Sequence, residues 1–313
     1  MLSSTRIGLM GSIGLFLGLA SGDALANPPI VTIATGFEFP TDVLLDSSNN
    51  LYVSDFGRGA IREFTAASSY ATNNTVVSGL NGPNSLAFDS SLNLYIADNG
   101  QASVDEATQA SSYATINNFG SGFANPAGIA LDSSRNIFVA DINNGNVKEL
   151  VAPGYTTINT IGSGFGAPIG IAVDSSGNVF VGDAGNNAVY EVLAVGGYVT
   201  VNSIGSGFNE PEGLAIDGAG NIFVADLGNN AVKEITTASG YTETDTIATG
   251  FNVPKGVALD TLGNIFVADG GSNTVKEIVL HVPVPAPTLG AWGLAALGLL
   301  LAGGGWRLSR RSA

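Results

Sequence analysis

Gly128-Ile-Ala-Leu-Asp132, the turn Ser133-Ser-Arg-Asn136 and Ile137-Phe-Val-Ala-Asp141 form the stretch that decides the fold, because close variants of it occur six times. Its last aspartate returns every 42 or 43 residues, at Asp55, Asp98, Asp141, Asp183, Asp226 and Asp269. Its first aspartate and a proline ahead of it keep the same spacing, at Asp46, Asp89, Asp132, Asp174, Asp217 and Asp260 and at Pro40, Pro83, Pro126, Pro168, Pro211 and Pro254. A period of about 40–45 residues with several short strands per unit is typical of a β-propeller with one blade per repeat. The period therefore predicts an all-β, six-bladed propeller.

Each repeat contains enough strand signals for a four-stranded blade. In the third repeat, residues 128–132 and 137–140 are short apolar runs that a polar Asp/Ser/Asn turn joins into a hairpin. Residues 146–151 then alternate between apolar and polar side chains, and residues 155–161 are rich in β-branched residues. That composition suits an outer strand with one wet face.

The sixth repeat is incomplete, because its strands end at Leu280 without an outer strand. The missing strand is present near the start of the chain: Ile33-Ala-Thr-Gly-Phe37 is identical to Ile247-Ala-Thr-Gly-Phe251, in the outer strand of blade five. We therefore predict that residues 30–37 complete blade six beside residues 275–280 and leave no long open edge. The propeller domain is predicted to span residues 27–280.

The recurring phrase Pro-x-Gly-(Ile/Leu/Val)-Ala-(Leu/Val/Ile)-Asp, followed by Asn-(Ile/Val)-Phe-Val-(Ala/Gly)-Asp and Val-Lys-Glu, resembles the NHL repeat. The resemblance covers all six units, but blades one and two depart from it, with Asp42 and Ser85 at the position of Gly128, Gly170, Gly213 and Gly256. The resemblance implies a propeller and leaves its function open. NHL-like propellers include ligand-binding modules, protein and RNA scaffolds, lyases and lactonase-like relatives.

The two ends of the chain indicate export. Residues 1–26 have a single Arg, an uncharged run and a terminal Ala24-Leu-Ala26, as expected of a cleaved signal peptide. Residues 281–288 form a Pro-rich spacer. Residues 289–313 contain 18 uncharged positions up to Trp306 and then a basic end. This length predicts one C-terminal transmembrane helix, with the basic end on the cytoplasmic side.

The C-terminal segment has the features of a sorting signal. Pro287-Thr-Leu289, Trp292-Gly293, the apolar run and the terminal arginines resemble bacterial PEP-CTERM tails of the IPTL variety, in which Ile stands at the position of Ala286. The resemblance implies a Gram-negative source, membrane retention and processing by an exosortase-type enzyme. The alternative is a plain, unprocessed anchor. Either way we expect export across the inner membrane to the periplasm or cell surface, anchored or cut at the C-terminus.

The amino-acid composition limits the kinds of partner that the protein can bind. There is no cysteine, which excludes disulfides and thiolate chemistry. Within residues 27–280 the sequence has seven basic and 25 acidic residues, a net charge of −18. Such a charge repels phosphate backbones, so we expect no nucleic acid partner. The expected partner is an unknown protein, glycan or small molecule.

Most of the acidic residues belong to the repeat. Twelve are the two aspartates of each unit, and six more are the glutamates at 63, 106, 149, 191, 234 and 277. Because six equivalent copies do not provide the distinctive environment that a catalytic group needs, we predict that both aspartate series bind backbone N–H groups of their own turns. The acids outside the pattern are Glu38, Asp42, Asp105, Glu210, Glu212, Glu243 and Asp245.

The sequence offers few residues that could catalyse a reaction or bind a metal ion. The only histidine, His281, lies in the spacer, so a His-based zinc site or His general base cannot form in the ring. Lactonase-like propellers hold a divalent cation in the central channel, and Asp42, Asn84 and Glu212 are the candidates for such a site here. Lys255 beside Glu212 points instead to an ion pair. We predict no catalytic residue and no cofactor, with a cation such as calcium as the alternative.

The residues after each repeat proline should line the channel mouth: Thr41, Asn84, Ala127, Ile169, Glu212 and Lys255. The blades differ most on this face, and variation on a rigid scaffold is how loops acquire recognition. The predicted ligand face comprises Thr41, Asp42, Arg58, Asn84, Gln101, Asn144, Ile169, Glu212 and Lys255. The preferred function is a non-enzymatic ligand- or protein-binding scaffold. The alternative is a divalent-metal-dependent lactonase-like hydrolase.

Overall fold

The computed structural model describes residues 28–120 and 122–280, which form six antiparallel sheets of four strands each. The prediction of an all-β, six-bladed propeller is therefore confirmed. Blade one contains β2 (Pro40–Leu45), β3 (Leu51–Asp55), β4 (Ala60–Phe64) and β5 (Asn73–Ser78). Blade two contains β6 (Pro83–Phe88), β7 (Leu94–Asp98), β8 (Ser103–Ala107) and β9 (Ile116–Phe119). Blade three contains β10 (Pro126–Leu131), β11 (Ile137–Asp141), β12 (Asn146–Val151) and β13 (Thr157–Ile161).

The remaining blades repeat this pattern. Blade four contains β14 (Pro168–Val173), β15 (Val179–Asp183), β16 (Ala188–Val192) and β17 (Val201–Ile204). Blade five contains β18 (Pro211–Ile216), β19 (Ile222–Asp226), β20 (Ala231–Ile235) and β21 (Thr244–Thr249). Blade six contains β22 (Pro254–Leu259), β23 (Ile265–Asp269), β24 (Thr274–Ile278) and β1 (Ile30–Thr35). Short 3-10 helices lie at Phe56–Arg58, Ala66–Ser68, Asn99–Gln101, Gln109–Ser111, Ile142–Asn144, Leu227–Asn229, Thr237–Ser239 and Gly270–Ser272.

Blade six is closed by the N-terminal strand, as the sequence predicts. β1 pairs antiparallel with β24, with Ile30 opposite Ile278 and Thr35 opposite Thr274. The pairing continues beyond the strands, where the Val279 N–H donates to the Pro29 carbonyl at 2.9 Å. The outer edge of β24 is therefore covered by the same chain.

The apolar core lies between neighbouring blades rather than inside any one of them. Six clusters of buried side chains each combine residues of two adjacent blades. The second strand of every blade is buried at all five positions, because both of its faces are covered by other blades. This explains why these strands are nearly continuous apolar runs instead of alternating ones.

The disc has two faces with different loops. We call one the mouth face; it carries loops 36–39, 79–82, 122–125, 162–167, 205–210 and 250–253 together with loops 56–59, 99–102, 142–145, 184–187, 227–230 and 270–273. The two sets contact each other, as in the 2.7 Å hydrogen bond from Gly57 N to Glu38 O. The opposite face, the turn face, carries the turns at 46–50, 89–93, 132–136, 174–178, 217–221 and 260–264 and the loops that precede each outer strand.

Between residues 28 and 280, the described part of the chain has no helix long and apolar enough to cross a membrane. The predicted signal peptide at 1–26, the spacer at 281–288 and the transmembrane helix within 289–313 lie outside the described residues.

Candidate functional site

A central cavity of about 250 Å³ is lined by residues of all six inner strands. Its lining includes the residue after each repeat proline, namely Thr41, Asn84, Ala127, Ile169, Glu212 and Lys255. Two residues farther along each strand it is lined by a buried aliphatic ring of Val43, Leu86, Ile129, Ile171, Leu214 and Val257. The cavity therefore has a mixed rim and an apolar interior.

Glu212 and Lys255 form an ion pair at this rim, between blades five and six. The Lys255 Nζ lies 2.8 Å from both Glu212 Oε1 and Oε2, and the two side chains are only 18% and 10% exposed. The ammonium also lies 5.5 Å from the centre of the Phe39 ring. Burial raises the pKa of Glu212, and the charge of Lys255 opposes that rise. The carboxylate is thus already neutralised by its neighbour.

Asp42 is held by three donors. Its Oδ1 accepts from Val43 N at 2.8 Å, while Oδ2 accepts from Ser85 Oγ at 2.7 Å and from Leu86 N at 2.8 Å. Burial raises the pKa of Asp42 to about 6, although these hydrogen bonds oppose the rise. The Ser85 hydroxyl in turn accepts from Ile129 N at 3.3 Å. Asp42 and Ser85, which stand where the other repeats have glycine, therefore link blades one, two and three.

Steric crowding explains why the other blades have glycine at the position of Asp42 and Ser85. A Cβ on Gly128, Gly170 or Gly213 would lie 2.4 Å or less from a backbone oxygen of the next inner strand. Since real Cβ atoms do not approach oxygen so closely, those blades need glycine. At blades one and two a side chain occupies this space and bonds to the next blade instead.

The candidate cation ligands Asp42, Asn84 and Glu212 line one cavity, but the two carboxylates among them already have other partners. Both oxygens of Glu212 face Lys255, and those of Asp42 face N–H and O–H donors. Throughout residues 28–120 and 122–280, no group of three or more His, Asp or Glu side chains is placed to hold a metal ion. A divalent cation at the rim would have to displace these donors first, so the arrangement does not fit one as it stands.

Arg58, Gln101 and Asn144 lie on the mouth face but outside the cavity. Each is the third residue after a repeat aspartate and contacts it: Arg58 Nε is 3.7 Å from Asp55 Oδ2, and the amides of Gln101 and Asn144 donate at 2.7 and 2.6 Å. The predicted ligand face therefore divides into a cavity rim and a ring of loop residues around it.

The two aspartate series differ in what they bind. The first series holds its own turn as predicted: Asp132 Oδ1 accepts from Ser134 N and Asn136 N at 2.8 Å. For the second series the prediction of own-turn backbone donors is wrong, except that Asp183 also accepts from Gly185 N and Asn186 N. Asp141 accepts at 2.9 Å from the backbone of residues 124 and 125, in the loop that precedes the inner strand. The reason is that this aspartate lies opposite the repeat proline, beside that loop.

In four blades a basic residue seven positions after the second aspartate pairs with it, and this pairing was not predicted from the sequence. Lys233 Nζ lies 2.6 Å from Asp226 Oδ2, bonds to Gly207 O at 2.5 Å and lies 5.4 Å from the centre of the Phe208 ring. The same spacing relates Asp55 to Arg62, Asp141 to Lys148 and Asp269 to Lys276. Blade two has Asp105 at this position and blade four has Tyr190. The constant spacing of seven residues between the aspartate and the basic residue is the sequence signal that could have identified these pairs.

The chain matches two known sequence motifs. The NHL repeat matches residues 208–235 and 251–278, and the IPTL-CTERM motif matches residues 285–311. The predicted resemblances to NHL repeats and to an IPTL-type C-terminal signal are thus confirmed. No curated protein matches the chain.

Solved structures share the fold at low identity. A gluconolactonase from Xanthomonas campestris is 12% identical, with a TM-score of 0.69 over 81% of this chain and 90% of that one. An auxiliary nutrient binding protein from Bacteroides thetaiotaomicron is 14% identical, with a TM-score of 0.65 over 77% and 69%. A catalytically inactive virginiamycin B lyase from Staphylococcus aureus is 11% identical, with a TM-score of 0.59 over 76% and 79%. These likenesses show the fold alone.

Proposed function

We propose that this chain is an exported, membrane- or surface-associated propeller that binds a ligand or a protein on its mouth face without catalysing a reaction. One observation carries the proposal: the carboxylates at the cavity rim are already engaged, Glu212 by Lys255 and Asp42 by Ser85 and two backbone N–H groups. An engaged carboxylate is a poor general base or metal ligand, because its partners must leave first.

The ends of the described chain support this placement. The IPTL-CTERM motif follows the propeller, and β24 runs toward the turn face, so Leu280 leaves the disc opposite the mouth. A tether attached there leaves the mouth face accessible to a soluble partner. The net charge of −18 within residues 27–280 disfavours phosphate-rich partners.

A melting experiment separates this proposal from the lactonase-like alternative. We expect Ca²⁺ and Zn²⁺ to change the melting temperature of the purified protein no more than Mg²⁺ does at equal ionic strength. A specific site would instead stabilise the protein by mass action, by about 2.7 kcal/mol when the metal is at 100 times its dissociation constant.

The variants for that experiment are Glu212→Gln at the rim and Glu243→Gln on an exposed loop of the turn face. A rise in melting temperature with Ca²⁺ or Zn²⁺ that disappears in Glu212→Gln and persists in Glu243→Gln would overturn the binding proposal. It would place a metal at the rim and favour the hydrolase.

A ligand screen tests the binding surface itself. Soluble glycans, metabolites and candidate proteins can be screened by thermal shift, and a binder is then titrated against Asn84→Ala, Glu212→Ala, Ser133→Ala and Ser175→Ala. We expect the two rim variants to weaken binding, because they remove hydrogen-bonding groups beside the cavity. The two serines lie in uniform turns of the turn face and should have no effect. The reverse ranking would move the site to the turn face.

A further inference from the structure

The large apolar side chains that the propeller exposes are concentrated on one side. Among the described residues, Leu92, Val195, Val199 and Leu262 lie in turn-face loops and are 36%, 77%, 80% and 57% exposed. Ile116 and Val31 lie at the turn-face ends of outer strands and are 42% and 46% exposed. The mouth face contributes only Phe39 to this set, at 38%. The two faces therefore differ in the apolar surface that they offer.

These side chains occupy alternate blades. Leu92 and Ile116 belong to blade two, Val195 and Val199 to blade four, and Leu262 and Val31 to blade six. Since the six blades are arranged around one axis, alternate blades place the apolar groups at three separated points around the ring. Three such points define a plane, which a flat surface can contact all at once.

The chain leaves the disc on the same side. β24 ends at Ile278 opposite Ile30, at the turn-face end of blade six. Only residues 281–288 separate the disc from the uncharged run that starts at Leu289. Even a fully extended Pro-rich spacer of this length spans only about 25 Å. If that run inserts into a bilayer, the turn face is held within reach of the lipid.

We propose that the turn face docks on the surface of an uncharged bilayer, with the apolar side chains of blades two, four and six in contact with the lipid and the mouth pointing away from it. The inference rests on the membrane association in the proposed function. The charge of the propeller selects the lipid, because a net charge of −18 is repelled by anionic headgroups and tolerated by zwitterionic ones. Apolar side chains at an interface gain by leaving water, as they do in amphipathic membrane-surface helices.

The absence of cysteine from the sequence allows a direct test by single-cysteine labelling. The full-length protein is reconstituted into phosphatidylcholine vesicles with an environment-sensitive dye on Val199→Cys, on Leu262→Cys or on the mouth-face control Ser272→Cys. Doxyl-labelled lipid is the quencher. We expect the two turn-face dyes to lose emission and the Ser272→Cys dye to keep it. Vesicles rich in phosphatidylglycerol should reduce the quenching at both turn-face positions.

Each other outcome has a distinct meaning. If the protein co-floats with the vesicles but no dye is quenched, the disc stands off the membrane and the docking inference fails while membrane association holds. If the protein does not co-float, the proposed membrane association itself fails. Self-quenching between labelled copies without any effect of the lipid would assign the turn face to a second copy of the chain and overturn the inference. The double variant Val195→Asp with Val199→Asp should abolish quenching at Leu262→Cys.

Discussion

Each face of the propeller has one aspartate per blade that accepts backbone hydrogen bonds, but the donors lie at different distances along the sequence. On the turn face, Asp217 accepts from Ala219 N and Asn221 N, so each bond closes within its own five-residue turn. On the mouth face, the fully buried Asp226 accepts from Asn209 N, 17 residues earlier, and pairs with Lys233. The turn-face aspartate therefore closes its own turn, and Asn221 at the end of that turn accepts from Thr237 N in the loop before the outer strand. The mouth-face aspartate instead holds a separate loop, which precedes the inner strand.

This difference explains where sequence variation is tolerated. The third residue after the mouth-face aspartate is Arg58, Gln101, Asn144, Asn186, Asn229 or Ser272 in successive blades. Because the buried aspartate fixes the loop at its base, the residue above it can change without loss of the loop. Each turn of the turn face keeps its first residue, aspartate, and its fifth, asparagine, in every blade, since these two side chains bind each other.

The largest expected effect comes from removing one aspartate of each kind from the same blade. Asp226→Ala should lower the free energy of unfolding by about 3–5 kcal/mol, because it leaves Lys233 buried without its partner. Asp217→Ala should cost only about 1–2 kcal/mol, because water replaces its bonds in an exposed turn. Urea unfolding of the two variants and the parent measures both values. Equal losses would mean that the two faces are held in the same way.

A second prediction concerns Asp42, a mouth-face carboxylate that bonds across blades rather than within one. Its pKa of about 6 is above the ordinary value of 3.8, so the folded protein binds more protons than the unfolded chain between these pH values. The stability that protonated Asp42 contributes should therefore fall as the pH rises from about 4 to about 6, by on the order of 1–2 kcal/mol because the site is partly open to solvent.

Asp42→Asn provides the comparison for that measurement. Burial also raises the pKa of Glu212, so the difference between parent and variant isolates the contribution of Asp42. We expect the difference in unfolding free energy to change between pH 4 and pH 7. A difference that stays constant over this range would show that Asp42 does not titrate there.

The smallest expected effect tests the tolerance of the mouth-face loops. Arg58→Ser and Gln101→Ser introduce the residue that blade six has naturally, Ser272. Arg58 is 49% exposed and lies 3.7 Å from Asp55, so its exposed ion pair should contribute less than about 1 kcal/mol. Urea unfolding of both variants should give losses well below that of Asp226→Ala. A loss as large as that of Asp226→Ala would mean that the residue above the aspartate also holds the loop.

Repetition made the fold predictable from the sequence. The period of 42 or 43 residues gave the blades, and the identity of residues 33–37 with 247–251 gave the closing strand. The bonds of the turn-face aspartates within their own turns were predictable because both partners lie within five residues. The Glu212–Lys255 pair was also accessible, because the two residues hold the same position in adjacent repeats.

Other contacts between blades could not be predicted in this way. Asp42 and Ser85 also hold the same position in adjacent repeats, but they carry no opposite charges that would mark them as partners, and the bond from Ile129 N depends on the distance between neighbouring inner strands. The partners of the mouth-face aspartates were missed because they lie 16 or 17 residues away, in loops of irregular sequence. The apolar side chains of alternate blades became visible only once exposure was known, because Leu92 and Leu262 replace turn residues without disturbing the turn.

The strand that closes blade six also sets the order of events when the chain is made. Among the described strands β1 is synthesised first, but its partner β24 is synthesised last. A growing chain therefore holds β1 without a partner until almost the entire propeller has been made. Contacts between residues so distant in sequence form slowly, and a strand without its partner is prone to aggregate until the contact forms. We expect this protein to depend on holding factors during its synthesis more than a propeller whose blades are each completed by consecutive residues.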